Sequence, residues 1–131
     1  MFDPALAQHA RSLRVKIQGT LPDNYLGGRY EGQTGTLDGI MRMGRDHEQT
    51  LRVVFDHEAD GVGNRNILAK YIIPLRPTAN QQIVTPMSGS HKGEVWTISD
   101  LQHDETNGTL YSRELGEFIV EKVDEIVQLK V

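Results

Sequence analysis

The sequence predicts an all-β fold made of two small barrels in tandem, preceded by a short helix. Three observations carry that expectation. Beyond the first dozen residues the chain is a series of short segments rich in Val, Ile and Tyr, separated by turn signals such as Pro22–Gly28 ("PDNYLGG") and Asp60–Asn64 ("DGVGN"). The segment Glu31–Ile40 ("EGQTGTLDGI") has an echo at Lys92–Leu101 ("KGEVWTISDL"), so the chain repeats itself. Glycines cluster where a strand of a small barrel would have to turn and bend.

Taken in order, residues 1–12 read as a helix, with Asp3 as N-cap and Pro4 at the first helical position. Arg14–Ile17, Leu51–Phe55, Ile67–Leu75, Gln82–Thr85, Glu94–Ile98, Thr109–Tyr111 and Glu117–Leu129 read as strands. Between them, "RPTAN" at Arg76–Asn80 is a Pro-containing connector, and Asn107-Gly108 reads as a tight hairpin turn. In the repeat, Gly32 pairs with Gly93, Thr36 with Thr97 and Leu37 with Ile98. Each copy follows an extended segment and closes on a similar strand, "KYIIPL" at Lys70–Leu75 and "DEIVQL" at Asp124–Leu129. The expected division is a helical extension over 1–12, a first barrel over 13–75 and a second over 76–131.

Composition excludes several classes. The 131 residues hold no cysteine, which removes disulfides and thiol chemistry, and no apolar run approaches the roughly 20 residues needed to cross a bilayer. The net charge is −4: Leu13–Leu75 carries eight Lys/Arg against eight Asp/Glu, and Arg76–Val131 five against nine. That balance lacks the basic excess of an autonomous nucleic-acid binder. The sequence also lacks a nucleophile elbow, a phosphate loop and a zinc-protease pair, so a binding module is expected and not an enzyme. No cofactor, small-molecule substrate or membrane is expected.

The pattern strand, Gly, loop, Gly, then an alternating Thr/aliphatic strand resembles the KOW motif, and Ser88–Ile98 ("SGSHKGEVWTI") looks like a good copy. The tandem arrangement, with "GQTG" at Gly32–Gly35, "PLRPTAN" at Pro74–Asn80 and "EIVQLKV" at Glu125–Val131, resembles the KOW modules at the C-terminal end of the large subunit of the elongation factor DSIF, in the NusG-related family. The resemblance covers about nine-tenths of the chain. It implies SH3-like barrels, with Gly32, Gly35 and Gly93 as structural KOW glycines. It also implies a nuclear transcription elongation module whose partner is the RNA polymerase elongation complex or its associated proteins, with weak contact to emerging RNA. A ribosomal-type KOW RNA-binding protein and a chromatin-reader adaptor are the alternatives. The second copy departs from the pattern at one place, where Trp96 stands for the second glycine.

The candidate ligand-binding residues follow from chemistry and position. Tyr25, Arg29 and Tyr30 lie in an unusually long first loop, and long loops on rigid scaffolds often carry function. Arg42, Arg45 and Arg52 lie on or beside one hairpin, where phosphates would be met; Asp46, Glu48, Asp56 and Glu58 sit among them and favour a salt-bridged surface instead. His91 and Lys92 occupy the glycine loop of the second copy. Trp96 either fills a small core or stands exposed as an anchor, and the general burial of Trp favours the first. In the chromatin-reader alternative, Tyr25, Tyr30 or Trp96 builds an aromatic cage for a methylated lysine. The two "DHE" triplets, Asp46–Glu48 and Asp56–Glu58, invite a metal reading, but neighbouring residues on a strand point to opposite faces, so no metal is expected.

Overall fold

The computed structural model describes residues 9, 11–43, 49–57, 63–101 and 106–130, with the backbone alone for 40–43. The expected helix over 1–12, with Asp3 and Pro4, lies outside the described residues apart from its last turn. The chain is all-β and forms two compact units, Met1–Pro74 and Leu75–Val131, each an SH3-like barrel built on a five-stranded antiparallel sheet.

The first unit contains β1 (Arg14–Ile17), β2 (Thr34–Met43), β3 (Gln49–Phe55), β4 (Asn64–Leu68) and β5 (Ile72–Pro74). Their order in the sheet is β4-β3-β2-β1-β5. Period-two alternation explains the core: Val15 and Ile17 of β1 and Leu51, Val53 and Phe55 of β3 are buried, while Lys16 and Val54 face out. The second unit contains β6 (Ile83–Pro86), β7 (Trp96–Leu101), β8 (Asn107–Ser112), β9 (Glu117–Lys122) and β10 (Ile126–Gln128), ordered β10-β6-β7-β8-β9. Its core gathers Val84, Trp96, Ile98, Leu110 and Ile126, with Leu101 and Ile119 packed against them.

The two sheets share one topology, in which the last short strand returns to pair with the first. They also share a bulge. Leu37 pairs with Val53 and Ile98 with Leu110, and immediately afterwards β2 and β7 each carry one residue more than their partners. A bulge bends the strand and increases its twist, which is what closing a small barrel requires.

Two expected strands are each broken in the middle. Ile67–Leu75 contains a 3₁₀ turn at Ala69–Tyr71, and Glu117–Leu129 contains one at Val123–Glu125. The strand before each turn lies at one end of the sheet and the strand after it at the other, so one continuous strand cannot serve both places. A three-residue 3₁₀ turn redirects the chain, and the amides of Ile72 and Ile126 bond back to the carbonyls of Ala69 and Val123. A second correction concerns Asn107-Gly108, which is not a turn but opens β8, where Gly108 pairs with both Leu101 and Glu121; residues 113–116 form the turn from β8 to β9. Gly108 is buried, and a Cβ there would stand in ordinary contact with Ile126, Ile98 and Leu101 at 3.7–3.8 Å.

Candidate functional site

The glycines of the repeat set the frame. Gly32 and Gly93 hold φ of +73° and +81°, the left-handed region that glycine enters without penalty, just before β2 and β7. Gly35 serves a different need. It lies opposite Phe55, and a Cβ on it would stand 2.6 Å from the Val54 carbonyl oxygen. In the second unit the pairing of Thr97 with Tyr111, carried one residue further, sets Trp96 across from Ser112. Each cross-strand pair therefore holds one aromatic ring and one very small residue, with the order reversed. The departure of Trp96 from the glycine pattern is a change of which strand supplies the ring.

Trp96 is only 1% exposed. Its indole N–H donates to Glu94 at 3.3 Å, the same carboxylate oxygen bonds His91 Nδ1, and the His91 ring meets the indole edge-on at 5.2 Å. Of the two readings of Trp96, the core one holds, because a barrel this small needs the ring for its core, and Trp96 is withdrawn from the candidate ligand-binding residues. His91 is partly exposed and committed to Glu94, and Lys92 is exposed beside it.

The first loop folds back on its own barrel. Tyr30 is 2% exposed, stacks on Phe55 with ring centroids 4.7 Å apart, and its hydroxyl accepts a bond from Arg65 Nε at 3.0 Å. It is a core residue, and its place among the candidate ligand-binding residues is corrected accordingly. Tyr25 is half-buried; its hydroxyl accepts the Leu68 amide at 3.1 Å, and its ring meets Tyr71 edge-to-face at 4.9 Å. The Lys70 ammonium stands 5.3 Å from the centre of the Tyr71 ring. Tyr25 and Tyr71 form an aromatic corner, and the Lys70 ammonium stands on the Tyr71 ring. Tyr71 carried no local signal, because its partner lies 46 positions away along the chain. Arg29 is exposed on the same loop.

The basic hairpin is only partly visible. Arg45 and the first "DHE" triplet lie outside the described residues, and Arg42 is described by its backbone alone. Arg52 faces outward as alternation required and donates to Asn64 at 3.1 Å. With Asn64, Arg65 and Asn66 it lines an open polar cleft of about 380 Å³. From the second triplet, Asp56 is committed to Arg14, which clasps both carboxylate oxygens at 2.7 and 2.8 Å while Thr34 donates to one of them at 2.6 Å. The Arg14 hydrogen bonds hold the Asp56 carboxyl at about 2, against an ordinary 3.8, with desolvation opposing them. Among the described residues no group of three His, Asp or Glu side chains is arranged to hold a metal.

One surface was not marked by the candidate residues. On β9, Phe118 is 63% and Val120 66% exposed, beside Tyr111 on β8. A signal was present: Phe118-Ile119-Val120 puts apolar side chains on both faces of a strand.

No protein-family model and no curated protein matches the sequence. Among solved structures the chain is similar to the AGD34 crystal structure of Arabidopsis thaliana AGDP1, at 11% identity and a TM-score of 0.34, covering 92% of this chain and 82% of that one. It is also similar to the ADCP1 tandem Agenet domain 3-4, at 14% identity and a TM-score of 0.33, covering 95% and 84%. At these values the likeness bears no weight on function.

Proposed function

We propose that this chain is a non-catalytic protein-interaction module of chromatin-reader type, whose first barrel captures a cationic side chain of a partner peptide in the Tyr25–Tyr71 corner. One observation carries the reading: an ammonium, that of Lys70, already stands over the Tyr71 ring at cation–π distance. The hydroxyl of Tyr25 is fixed by the Leu68 amide, and the Tyr71 backbone carbonyl accepts the Gln18 amide, so the Tyr25 ring and the Tyr71 main chain are held in place before a ligand arrives. A methylated lysine suits such a corner because its ammonium is weakly hydrated and bulky enough to touch both rings.

The test is a titration of the isotope-labelled chain with a lysine-containing peptide in trimethylated and unmodified forms. The trimethylated peptide should shift the Tyr25 and Tyr71 ring resonances and bind more tightly. Tyr71→Ala should weaken it by about tenfold, and Tyr71→Phe, which keeps the ring, should retain it. Lys70→Ala should strengthen binding by vacating the corner. Equal affinity for the two peptides, or an unchanged affinity in Tyr71→Ala, would sink the reading.

A second reading is supported by the left-handed turns at Gly32 and Gly93, which fit the KOW-type entry into β2 and β7. It places the module in the nucleus on the RNA polymerase elongation complex, with RNA as a minor contact. Co-purification of the tagged chain with polymerase rather than with nucleosomes would favour it.

A further inference from the structure

The two barrels provide an internal comparison. The pairing of Val54 with Asn64 and Arg52 with Asn66 in the first corresponds to that of Tyr111 with Phe118 and Thr109 with Val120 in the second. One outer face therefore sets Val54 among three polar side chains, Arg52, Asn64 and Asn66, and its counterpart carries Tyr111, Phe118 and Val120 with Thr109 as the one small polar residue. The fold does not require the apolar version, since the first barrel forms without it. Burying Phe118 and Val120 in a partner would remove from water two side chains that now stand about two-thirds exposed.

The position of these residues says what kind of partner fits. β9 ends its sheet; among the described residues it pairs with β8 alone, so its other edge offers a row of unpaired backbone groups. On the opposite face from Phe118 and Val120, β9 carries Glu117 and Glu121 on either side of Ile119. This barrel is also the acidic one, with five basic residues against nine acidic over Arg76–Val131. Self-pairing of β9 is poorly matched. An antiparallel register centred on Ile119 sets Glu117 against Glu121 at both ends, and one centred on Val120 sets Ile119 against Glu121.

We infer that the free edge of β9 is a docking site for an extended peptide of about six residues in which apolar and basic side chains alternate, added as a sixth strand. Its apolar side chains lie beside Phe118 and Val120, its basic side chains meet Glu117 and Glu121, and its main chain completes the ladder. The site lies on a different barrel from the Tyr25–Tyr71 corner and stands or falls independently of it.

The experiment is a backbone-amide titration of the full isotope-labelled chain with the synthetic peptide Val-Lys-Val-Lys-Val-Lys, its glutamate counterpart, and a lysine version N-methylated at alternate residues. The lysine peptide should move the amides of Glu117–Lys122, and the other two should not. Phe118→Ser combined with Val120→Thr should weaken binding by about tenfold, and these exposed positions leave the core intact. Glu117→Gln with Glu121→Gln should abolish the preference for lysine over glutamate. Equal binding of the lysine and glutamate peptides to the unaltered chain, or shifts confined to other residues, or none at millimolar peptide, would overturn the proposal. So would a concentration-dependent dimer with β9 protected, which would make a second copy the occupant. Trimethyl-lysine binding, read separately at Tyr25 and Tyr71, would be unaffected by any of these outcomes.

Discussion

Arg14 and Asp56 show how much one side-chain pair does in a barrel of this size. The guanidinium reaches across from β1 to the end of β3, also donates to Thr36 at 2.9 Å, and so ties three strands at their exposed ends. The Asp56 carboxyl titrates at about 2 in the folded chain and near 3.8 when unfolded, so folding releases a proton between those values. The stabilisation is complete above about pH 4 and is lost as the pH falls through about 2. Because the pair is partly solvated, the contribution is about 1 kcal/mol after screening. Asp56→Asn should lower unfolding stability at pH 7 by about that amount, and the variant should show a flatter pH dependence between 4 and 2 in urea titrations. Gly35 makes a sharper case. Gly35→Ala drives a methyl into the Val54 carbonyl and should cost about 1–3 kcal/mol, whereas Gly19→Ala, with open space around it, should stay within about 0.5. Equal melting temperatures for the two variants would show that the Gly35–Phe55 pair is not tightly packed.

At the scale of the element, the tandem copies show which features the barrel demands and which are free. The positive-φ glycine before the second strand, the bulge after Leu37 and Ile98, and the 3₁₀ turn before the closing strand occur in both. The aromatic that fills the first cross-strand pair is required, but the strand that supplies it is not, as Phe55 and Trp96 show. The outer faces of β4 and β9 are free to differ, and they do. Much of this was legible in the sequence. Alternation along Leu51–Phe55 set Arg52 on the outer face, and the repeat marked Gly32 and Gly93 as equivalent. The 3₁₀ breaks were missed because β-rich residues flank them on both sides; the strand-poor residues Ala69-Lys70 and Asp124-Glu125 stand at the turns, which the chain makes so that the sheet can close. Asn107-Gly108 misled for a related reason: a strong local turn signal gave way to strand pairing, with Gly108 set between Leu101 and Glu121 in the sheet.

At the scale of the whole molecule, charge limits the partners. A net charge of −4, near-neutral over the first barrel and acidic over the second, gives little long-range attraction for a polyanion. Single-stranded RNA and duplex DNA should therefore show no saturable anisotropy change with this chain at about 0.15 M salt. Tight, steeply salt-dependent binding would return the polar cleft around Arg52 and Arg65 to the centre of the functional question. Cationic peptides are the ligands that both the aromatic corner and the β9 edge favour.

By itself the sequence determined the all-β class and the tandem repeat, because β-rich segments, turn signals and glycine placement are local properties of the chain. Only the tertiary structure decided which aromatics are core and which are surface. Tyr30, Trp96, Tyr71 and Phe118 are alike in hydrophobicity, yet each one's fate depends on what lies opposite: Phe55 over Tyr30, Ser112 across from Trp96, Tyr25 against Tyr71, and solvent over Phe118. Those partners are brought together by strand pairing between distant positions, and no local pattern records them.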